Sequence, residues 1–289
     1  TLQVKGLSIE GYLVPDFVLR TTGKLHGDDY RLQAKAVLSP VNEVTAQFTL
    51  PNVTKDIKLD QPFSASAKVN VKDFSQFNTL FMTVPQVRSF AGHVTGEFTG
   101  SGSVLHPVFD GGLQAQRGSV FVPAANMPLT DITLKTHYHT GQQVTIAGTF
   151  TAGNGRASAE GTFGIEESSL PLVLRVRGSE VNVYNSREYK VTISPDVLLS
   201  YKDNDLVLGG KILVPNAEIK PRDFRQTATL PNDVIIVNKR SAINTVPTNV
   251  TLQLQVILGE HVLLQYRDLK TTLQGSVNIY GAEGKPMTA

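Results

Sequence analysis

The sequence contains no cysteine and no tryptophan, and charged residues make up only 18% of its 289 positions. The absence of cysteine excludes disulfides, thiol catalysis and thiolate metal sites. Lys and Arg number 27 against 25 Asp and Glu, with no basic run dense enough to bind nucleic acid. No apolar run approaches the roughly 20 residues of a membrane-spanning helix. Hydrophobic residues still make up 40% of the chain, so we expect a folded protein.

Hydrophobic residues recur at every second position along much of the chain. The clearest case is the stretch 250–258, where Val250, Leu252, Leu254, Val256 and Leu258 alternate mostly with polar residues. Alternate side chains of a strand point to opposite sides, so each such segment has one apolar and one polar face. Similar patterns occupy residues 32–38, 44–50, 63–71, 132–138, 144–150, 172–176, 197–201, 206–214 and 273–279.

Turn residues separate these segments. Gly and Asp or Asn occur together at 27–29 and 153–155, Asp and Asn at 203–205, and Gly281 follows the last segment. These residue types favour turns between strands. No linker of low complexity interrupts the chain. The sequence therefore predicts an all-β protein with one continuous sheet.

One stretch, residues 73–83, predicts a short helix. Asp73 would cap it, with Gln76 as the partner of a capping box, and Pro85 would end it. An aromatic and leucine stripe would then share one helical face: Phe74, Phe77, Leu80 and Phe81. We interpret this stripe as packed into the fold rather than as a face for a partner or a membrane.

Few residues suggest chemistry. His137 and His139 share one side of a predicted strand, as two metal ligands would, but zinc needs a third or fourth ligand. We interpret them as two histidines of a polar face. The sequence Gly27-Asp28-Asp29 has the same residue types as a metal-binding hairpin of polymerases, but nothing else in the chain supports that function. We interpret it as a turn. No Gly-x-Ser-x-Gly elbow or phosphate-binding loop is present. We expect no enzyme activity, cofactor or metal.

Residues 206–222 read Leu-Val-Leu-Gly-Gly-Lys-Ile-Leu-Val-Pro-Asn-Ala-Glu-Ile-Lys-Pro-Arg. This stretch resembles the strand–Pro–strand signature of the C-terminal domain of the TamB family. Further segments of similar type follow at 233–238, 258–262 and 273–279, and precede it at 92–107 and 129–134. The resemblance covers residues 72–289, whereas residues 1–71 share only the alternation.

The resemblance implies a fold, a location and partners. TamB proteins are expected to form a β-taco, an elongated, curled, antiparallel or mixed sheet that encloses an open apolar groove. An N-terminal helix outside this chain would tether the protein to the inner membrane of a Gram-negative cell, with the sheet in the periplasm. An outer-membrane barrel of the TamA or BamA type would be its partner. The groove would conduct phospholipid, and the complex would support assembly of outer-membrane proteins and autotransporters.

The resemblance also suggests a division of the chain. Residues 1–71 would form a β-taco repeat region, and residues 72–289 the start of the TamB-type C-terminal domain. The chain begins at Thr1 rather than Met and stops at Ala289. We therefore expect it to be a segment of a longer protein, cut before the further strands that family members carry.

We expect the apolar side chains of the alternating segments to line the lipid groove and contact acyl chains. Two other interpretations remain open. A closed β-sandwich would show the same alternation around a filled core and would act as an interaction module. Alternatively, exposed strand edges could hold outer-membrane protein clients by strand addition. The expected lining residues are Val44, Ala46, Phe48, Val69, Val71, Val94, Phe98, Leu172, Leu174, Val176, Leu206, Leu208, Ile212, Val214, Leu252, Leu254, Val256, Val277 and Ile279.

Overall fold

The computed structural model of the chain describes residues 1–5, 8–9, 12–13, 16–53, 58–78, 88–165, 170–221 and 249–282. Almost all of this part is β-structure. The strands are β1 (Leu2–Val4), β2 (Ser8–Ile9), β3 (Tyr12–Leu13), β4 (Phe17–His26), β5 (Asp29–Ser39), β6 (Asn42–Leu50), β7 (Ser64–Val71), β8 (Arg88–Gly102), β9 (Pro107–Val122), β10 (Met127–His139), β11 (Val144–Ala152), β12 (Gly155–Phe163), β13 (Leu172–Ser179), β14 (Val181–Asn185), β15 (Tyr189–Lys202), β16 (Asp205–Ile219), β17 (Asn249–Tyr266), β18 (Leu269–Thr272) and β19 (Gly275–Ala282).

All strands except β2 and β3 belong to one 17-stranded sheet. From β4 to β13 each strand pairs antiparallel with the next, and β13 then pairs with β15. After β16 the pattern changes, because β17 pairs with β16 in parallel. The all-β, mixed-sheet prediction is therefore confirmed, and the described sheet runs unbroken past residue 72.

The sheet is long and open. Of the 17 strands, fourteen lie side by side across the sheet. The other three do not lengthen it: β1 pairs only with the first residues of β4, β14 pairs with β15 next to β13, and β18 pairs with β17 next to β19. At about 4.8 Å per strand the fourteen strands span about 62 Å. No described strand joins β19 back to β1 or β4, so the sheet curls without closing into a barrel.

The predicted helix over residues 73–83 is wrong in its described part. Only one turn of 3₁₀ helix forms, Ser75–Phe77, and residues 79–83 lie outside the described residues. The capping box is also absent. Asp73 accepts a hydrogen bond from the backbone N–H of Ser75, but its own N–H donates to Asn42 rather than to Gln76. A second 3₁₀ turn, Pro123–Ala125, precedes β10.

The turns predicted from the sequence form in the structure, with one exception. Gly27 and Gly153 adopt positive φ angles of 64° and 62°, which glycine reaches without strain. Asp203 and Asn204 form the β15–β16 turn in the same left-handed region. Gly281, in contrast, lies inside β19 and forms no turn. The segment 273–279 is interrupted as well, because β18 ends at Thr272 and β19 begins at Gly275.

The strands bend at a common level near one of their ends. Register shifts interrupt the pairing of β8 with β9, β9 with β10, β10 with β11, β15 with β16 and β16 with β17. Arg117, Asp131 and Glu180 adopt positive φ angles close to the same level. A β-bulge bends its strand and increases the local twist. A row of bulges therefore curls one long side of the sheet.

Candidate functional site

The register of the strands shows which side chains share a face. In the first half, Ala46 pairs with Ala67, Ala67 with Phe98, and Phe98 with Gly111. In the second half, Leu174 pairs with Leu199, and Leu199 with Leu208. The intervening strands β10 to β12 connect these two rows in register. We call this side of the sheet the apolar face.

All of the lining residues expected from the sequence lie on the apolar face. Val44 and Val69 are direct partners, and Val71 pairs with Val94. Across the parallel pairing, Leu208 lies beside Leu252, and Ile212 beside Val256. Val277 and Ile279 continue the same rows on β19. Residues that are more than 230 positions apart in the chain thus lie on the same face of one sheet.

The apolar face carries no charged side chain at any paired position of the described strands. The opposite face, which we call the polar face, carries the charges. On it Lys68 and Glu97 form an exposed ion pair at 3.0 Å, and Lys35 pairs with Glu43 at 2.6 Å. Burying an unpaired charge costs several kcal/mol, so a face free of charge is suited to contact with apolar material.

One side of the apolar face is covered. We call this side the closed rim; it includes the start of β6, the end of β7, the β9–β10 connection and the β11–β12 turn. Every buried hydrophobic side chain of the described residues lies on the apolar face near it: Val71, Val120, Met127, Ala152, Ala157, Val181, Val214, Ala217 and Val262. Within the described part of the chain, the sheet therefore curls toward its apolar face and packs on itself only along this rim.

Strand β14 seals part of the closed rim. Glu180 takes a positive φ of 52° between β13 and β14, which redirects the chain. Val181 is then buried against Met127, Ala152 and Ala157. The Nδ2 of Asn126 donates to the carbonyl oxygen of Asn185 at 2.8 Å and ties the end of β14 to the β9–β10 connection. β14 is therefore a strap across the ends of β10 to β12.

No described residue covers the other long side of the sheet, and we call this side the open rim. It includes the β4–β5, β8–β9, β10–β11 and β15–β16 turns and the start of β17. Large apolar side chains are exposed along it: Leu25, Tyr30, Leu59, Val104, Leu105, Phe109, Leu170 and Val250. Contiguous exposed apolar surface marks a binding surface more often than a free one.

The apolar face is concave toward the open rim in its first half. A depression of about 280 Å³ lies there between β5 and β9, and its walls include Leu32, Phe48, Phe98 and Phe109. A Cβ at Gly100 would lie only 3.0 Å from the Phe109 ring, so glycine at this position leaves space at the bottom of the depression. Aromatic rings thus lie over glycine on the neighbouring strand, which leaves room on the face without breaking the sheet.

The first proline inside the segment 206–222 has a structural reason. Pro215 lies inside β16, where the pairing with β17 shifts register between Val214 and Asn216. Proline is tolerated at such a bulge because it cannot donate to the ladder. Gly259 on β17 faces it, and a Cβ there would lie 3.0 Å from the Pro215 Cα. Because Gly259 has no Cβ, it leaves space for the backbone at Pro215.

The two candidate histidines lie on the polar face. His137 Nε2 is 3.5 Å and His139 Nδ1 is 3.0 Å from the same Oδ2 of Asp110, and all three side chains are about half exposed. Among the described residues no group of three His, Cys, Asp or Glu has the geometry to hold a metal ion.

Two exposed carboxyl groups have altered acidity. Hydrogen bonds from the Ser75 side chain and backbone lower the pKa of Asp73, and nearby His93 adds a smaller effect. The ammonium of Lys220 lowers the pKa of Glu218, with Lys190 contributing from 3.7 Å. Both carboxylates lie near the closed rim, away from the concave part of the apolar face.

A family model for the TamB C-terminal domain matches residues 142–288. The chain belongs to the TamB family. TamB proteins are periplasmic bridge components of the Gram-negative envelope that act in the translocation and assembly module and in outer-membrane biogenesis. Their partners are outer-membrane components of the TamA type. No curated protein and no solved structure matches the chain. The matched region begins within the β10–β11 turn and includes the strap and the bulged β16, so it contains six of the nine buried hydrophobic side chains near the closed rim.

The closed rim of the TamB fold was not predicted from the sequence. Alternation fixes which residues share a face, and it placed the apolar side chains on one face correctly. It did not show that Val181, Val262 and Asn42 would be buried, since their positions follow the same alternation as exposed ones. Asn42 is buried beside Asp73, Val181 against Met127, Ala152 and Ala157, and Val262 against Val214 and Ala217. All of these partners are distant in the sequence, so alternation along one strand does not reveal them.

No helix of the described residues is both long and apolar enough to span a membrane. This finding concerns helices only. Residues 233–238, which the TamB resemblance includes, lie outside the described residues.

Proposed function

We propose that the apolar face carries the acyl chains of phospholipids along an open groove between the inner and outer membranes. One observation supports this most directly: the apolar face has no charged side chain at any paired position over about 62 Å of described sheet. An acyl chain needs no hydrogen-bond partner. Burial of its surface is favourable by about 25 cal/mol per Å².

The uncovered open rim favours a groove over a closed sandwich. In a sandwich the apolar faces of two sheets cover each other. Here Leu254 and Leu208 remain partly exposed, and no second described sheet faces them. The concave depression near Phe48 and Phe98 has the same character. The exposed apolar surface therefore needs a mobile apolar occupant, and an acyl chain supplies it.

The direction of the groove suits a bridge. Strands cross the groove from rim to rim, so its long axis runs through successive strands and grows with each added strand. We propose that this chain forms part of such a bridge, tethered to the inner membrane by a segment outside it and joined to a TamA-type barrel at the outer membrane. Lipid passing along the groove would supply the outer membrane during assembly of its proteins.

The test replaces apolar-face leucines with arginine. We expect Leu254→Arg and Leu208→Arg to abolish phospholipid co-purification and complementation while the protein stays folded. The guanidinium must either reach water at the open rim or lie unpaired among acyl chains, and both obstruct the groove. Phospholipid extraction with mass spectrometry, circular dichroism and a melting curve measure the outcome.

The matched control is Gln253→Arg, because Gln253 is adjacent to Leu254 but lies on the polar face. It should leave lipid content unchanged. Unfolding of both leucine variants would indicate a closed, filled core. Folded leucine variants that retain normal lipid would contradict the proposal.

A second candidate function is supported by the edge of β19. Residues 275–282 include no charged residue and no proline, and no described strand pairs with their outer edge. Proteins usually protect such edges with charge, as Arg20 and Lys24 do on β4. A strand of an outer-membrane protein client could therefore add to β19. Val277→Lys should then reduce client binding in a pull-down, whereas Lys24→Glu should not.

A further inference from the structure

The polar face changes character in the second half of the sheet. Over β5 to β12 its paired positions are mostly Thr, Ser, Gln, Lys, Glu and Arg. On β13, β15 and β19, in contrast, Val173, Leu198 and Tyr280 are exposed on this face. Leu198 is 49% exposed and Val173 44%. Exposed apolar side chains that form a contiguous patch mark an interaction surface.

Gly209 makes a recess at the centre of this group. Leu198 pairs directly with Gly209, and Val207 precedes it by two positions on the same face. A depression of about 460 Å³ follows, with Leu198, Val207 and Gln253 around it. We call Val173, Leu198, Val207, Gly209 and Lys211 the outer patch. The apolar face cannot explain this recess, because Gly209 points away from it.

Among the described cations beside the recess, Lys211 is the one that forms no ion pair. Arg175 donates two hydrogen bonds to the Asp196 carboxylate, each at 3.0 Å, and Arg177 approaches the same group at 3.5 Å. Lys211 pairs in register with Asp196. Two arginines already share that carboxylate, and Lys211 forms no ion pair with the described residues. The outer patch therefore offers an apolar recess next to an exposed ammonium group.

We propose that the outer patch docks an extended segment of the protein partner at the outer membrane. The segment carries a large apolar side chain that fills the recess over Gly209 and, two residues later, a carboxylate that pairs with Lys211. Residues i and i+2 of a strand lie about 6.8 Å apart on one face, which matches the spacing of Gly209 and Lys211 along β16. This rests on the proposed bridge function, but it concerns the outside of the groove rather than its lipid.

The test fills the recess and reverses the charge. A Cβ at Gly209 would meet Gln253 only at 3.6 Å and beyond, an ordinary contact, so Gly209→Leu should fold. The probe is the soluble periplasmic region of the TamA-type barrel, measured by biolayer interferometry against the purified chain. We expect Gly209→Leu and Lys211→Glu each to weaken binding about tenfold or more, as loss of a central contact does.

Matched controls lie on the polar face of the first half. Thr95→Leu adds a leucine to β8 and Lys135→Glu reverses a charge on β10, and both should bind within about twofold of the unchanged chain. Lipid co-purification should persist in all four variants, so a failure of docking and a failure of lipid transport are distinguishable. Absence of binding by the unchanged chain, or equal binding by all variants, would overturn the proposal. The proposal would also be overturned if Gly209→Leu and Lys211→Glu bound the barrel's periplasmic region normally and lost only binding to phospholipid vesicles or to a second copy of the chain.

Discussion

Asn42 and Asp73 hold each other through two hydrogen bonds across the closed rim. The Asn42 Nδ2 donates to the carbonyl oxygen of Asp73 at 2.6 Å, and the N–H of Asp73 donates to the Asn42 Oδ1 at 3.0 Å. Asn42 is 1% exposed and is the only buried polar residue of the described part. Its amide thus uses both its acceptor and a donor to fix the chain that leaves β7.

We expect Asn42→Leu to destabilise the protein by about 2–3 kcal/mol, because it leaves two backbone groups of Asp73 without their partner near a buried position. The control is Asn278→Ala, an exposed asparagine of β19, which should change stability by no more than about 0.5 kcal/mol. Urea denaturation of both variants measures the difference. Equal midpoints would show that the double hydrogen bond contributes nothing to the closed rim.

The lowered pKa of Asp73 predicts an acid-sensitive contact. Its carboxylate accepts hydrogen bonds from Ser75, which favour the ionised form in the folded state. The contribution to stability is therefore fully present above the unfolded-state pKa of about 4. It is lost as pH falls through the lower folded-state value.

Melting temperatures between pH 2 and pH 6 should show this. Asp73→Asn should melt at lower temperature than the unchanged chain near pH 6, and the two curves should converge at the acid end. The effect is small, because the Asp73 side chain is exposed. A constant offset across the whole range would contradict the assignment.

Replacement of two adjacent glycines of β16 by alanine should change the stability of the protein in opposite directions. Gly210 lies on the apolar face at φ 134°, and a Cβ would clash with the carbonyl oxygen of Asp196. We expect Gly210→Ala to cost about 2–4 kcal/mol through backbone strain. Gly209 has space for a Cβ and needs no positive φ. Gly209→Ala should stabilise by up to about 1 kcal/mol, because it restricts the unfolded chain. Thermal unfolding of the pair tests both signs at once.

The length of the sheet predicts an anisotropic particle. Fourteen strands at about 4.8 Å give about 62 Å along the groove, before loops are added. A compact globule of this size would have a radius of gyration near 19 Å and a largest dimension of about 50 Å. Small-angle X-ray scattering of the monomer should give a largest dimension well above about 65 Å and a skewed distance distribution. A symmetric distribution ending near the compact value would rule out the open groove.

The alternation of residues such as Leu252, Leu254 and Val256 was sufficient to place them on one face, because strand geometry fixes a period of two. The same rule placed Val44 and Ala46 on that face before any pairing was known. The short helix after Asp73 was predicted wrongly. In a capping box the Gln76 side chain would accept a hydrogen bond from the Asp73 N–H, but this N–H donates instead to Asn42, 31 positions away. Local patterns cannot include a partner brought from that distance.

The order of residues along the chain is enough to establish that this protein is built of amphipathic strands, that its apolar side chains share faces, and that its later segments belong to a TamB-type domain. The difference between a closed and an open rim, in contrast, is visible only in the folded sheet. That difference comes from bulges at Arg117, Asp131 and the Val214–Asn216 shift, and from the strap in which Val181 is buried. A bulge depends on how two distant strands align, so its bend follows from pairing between strands rather than from the residues of either strand alone.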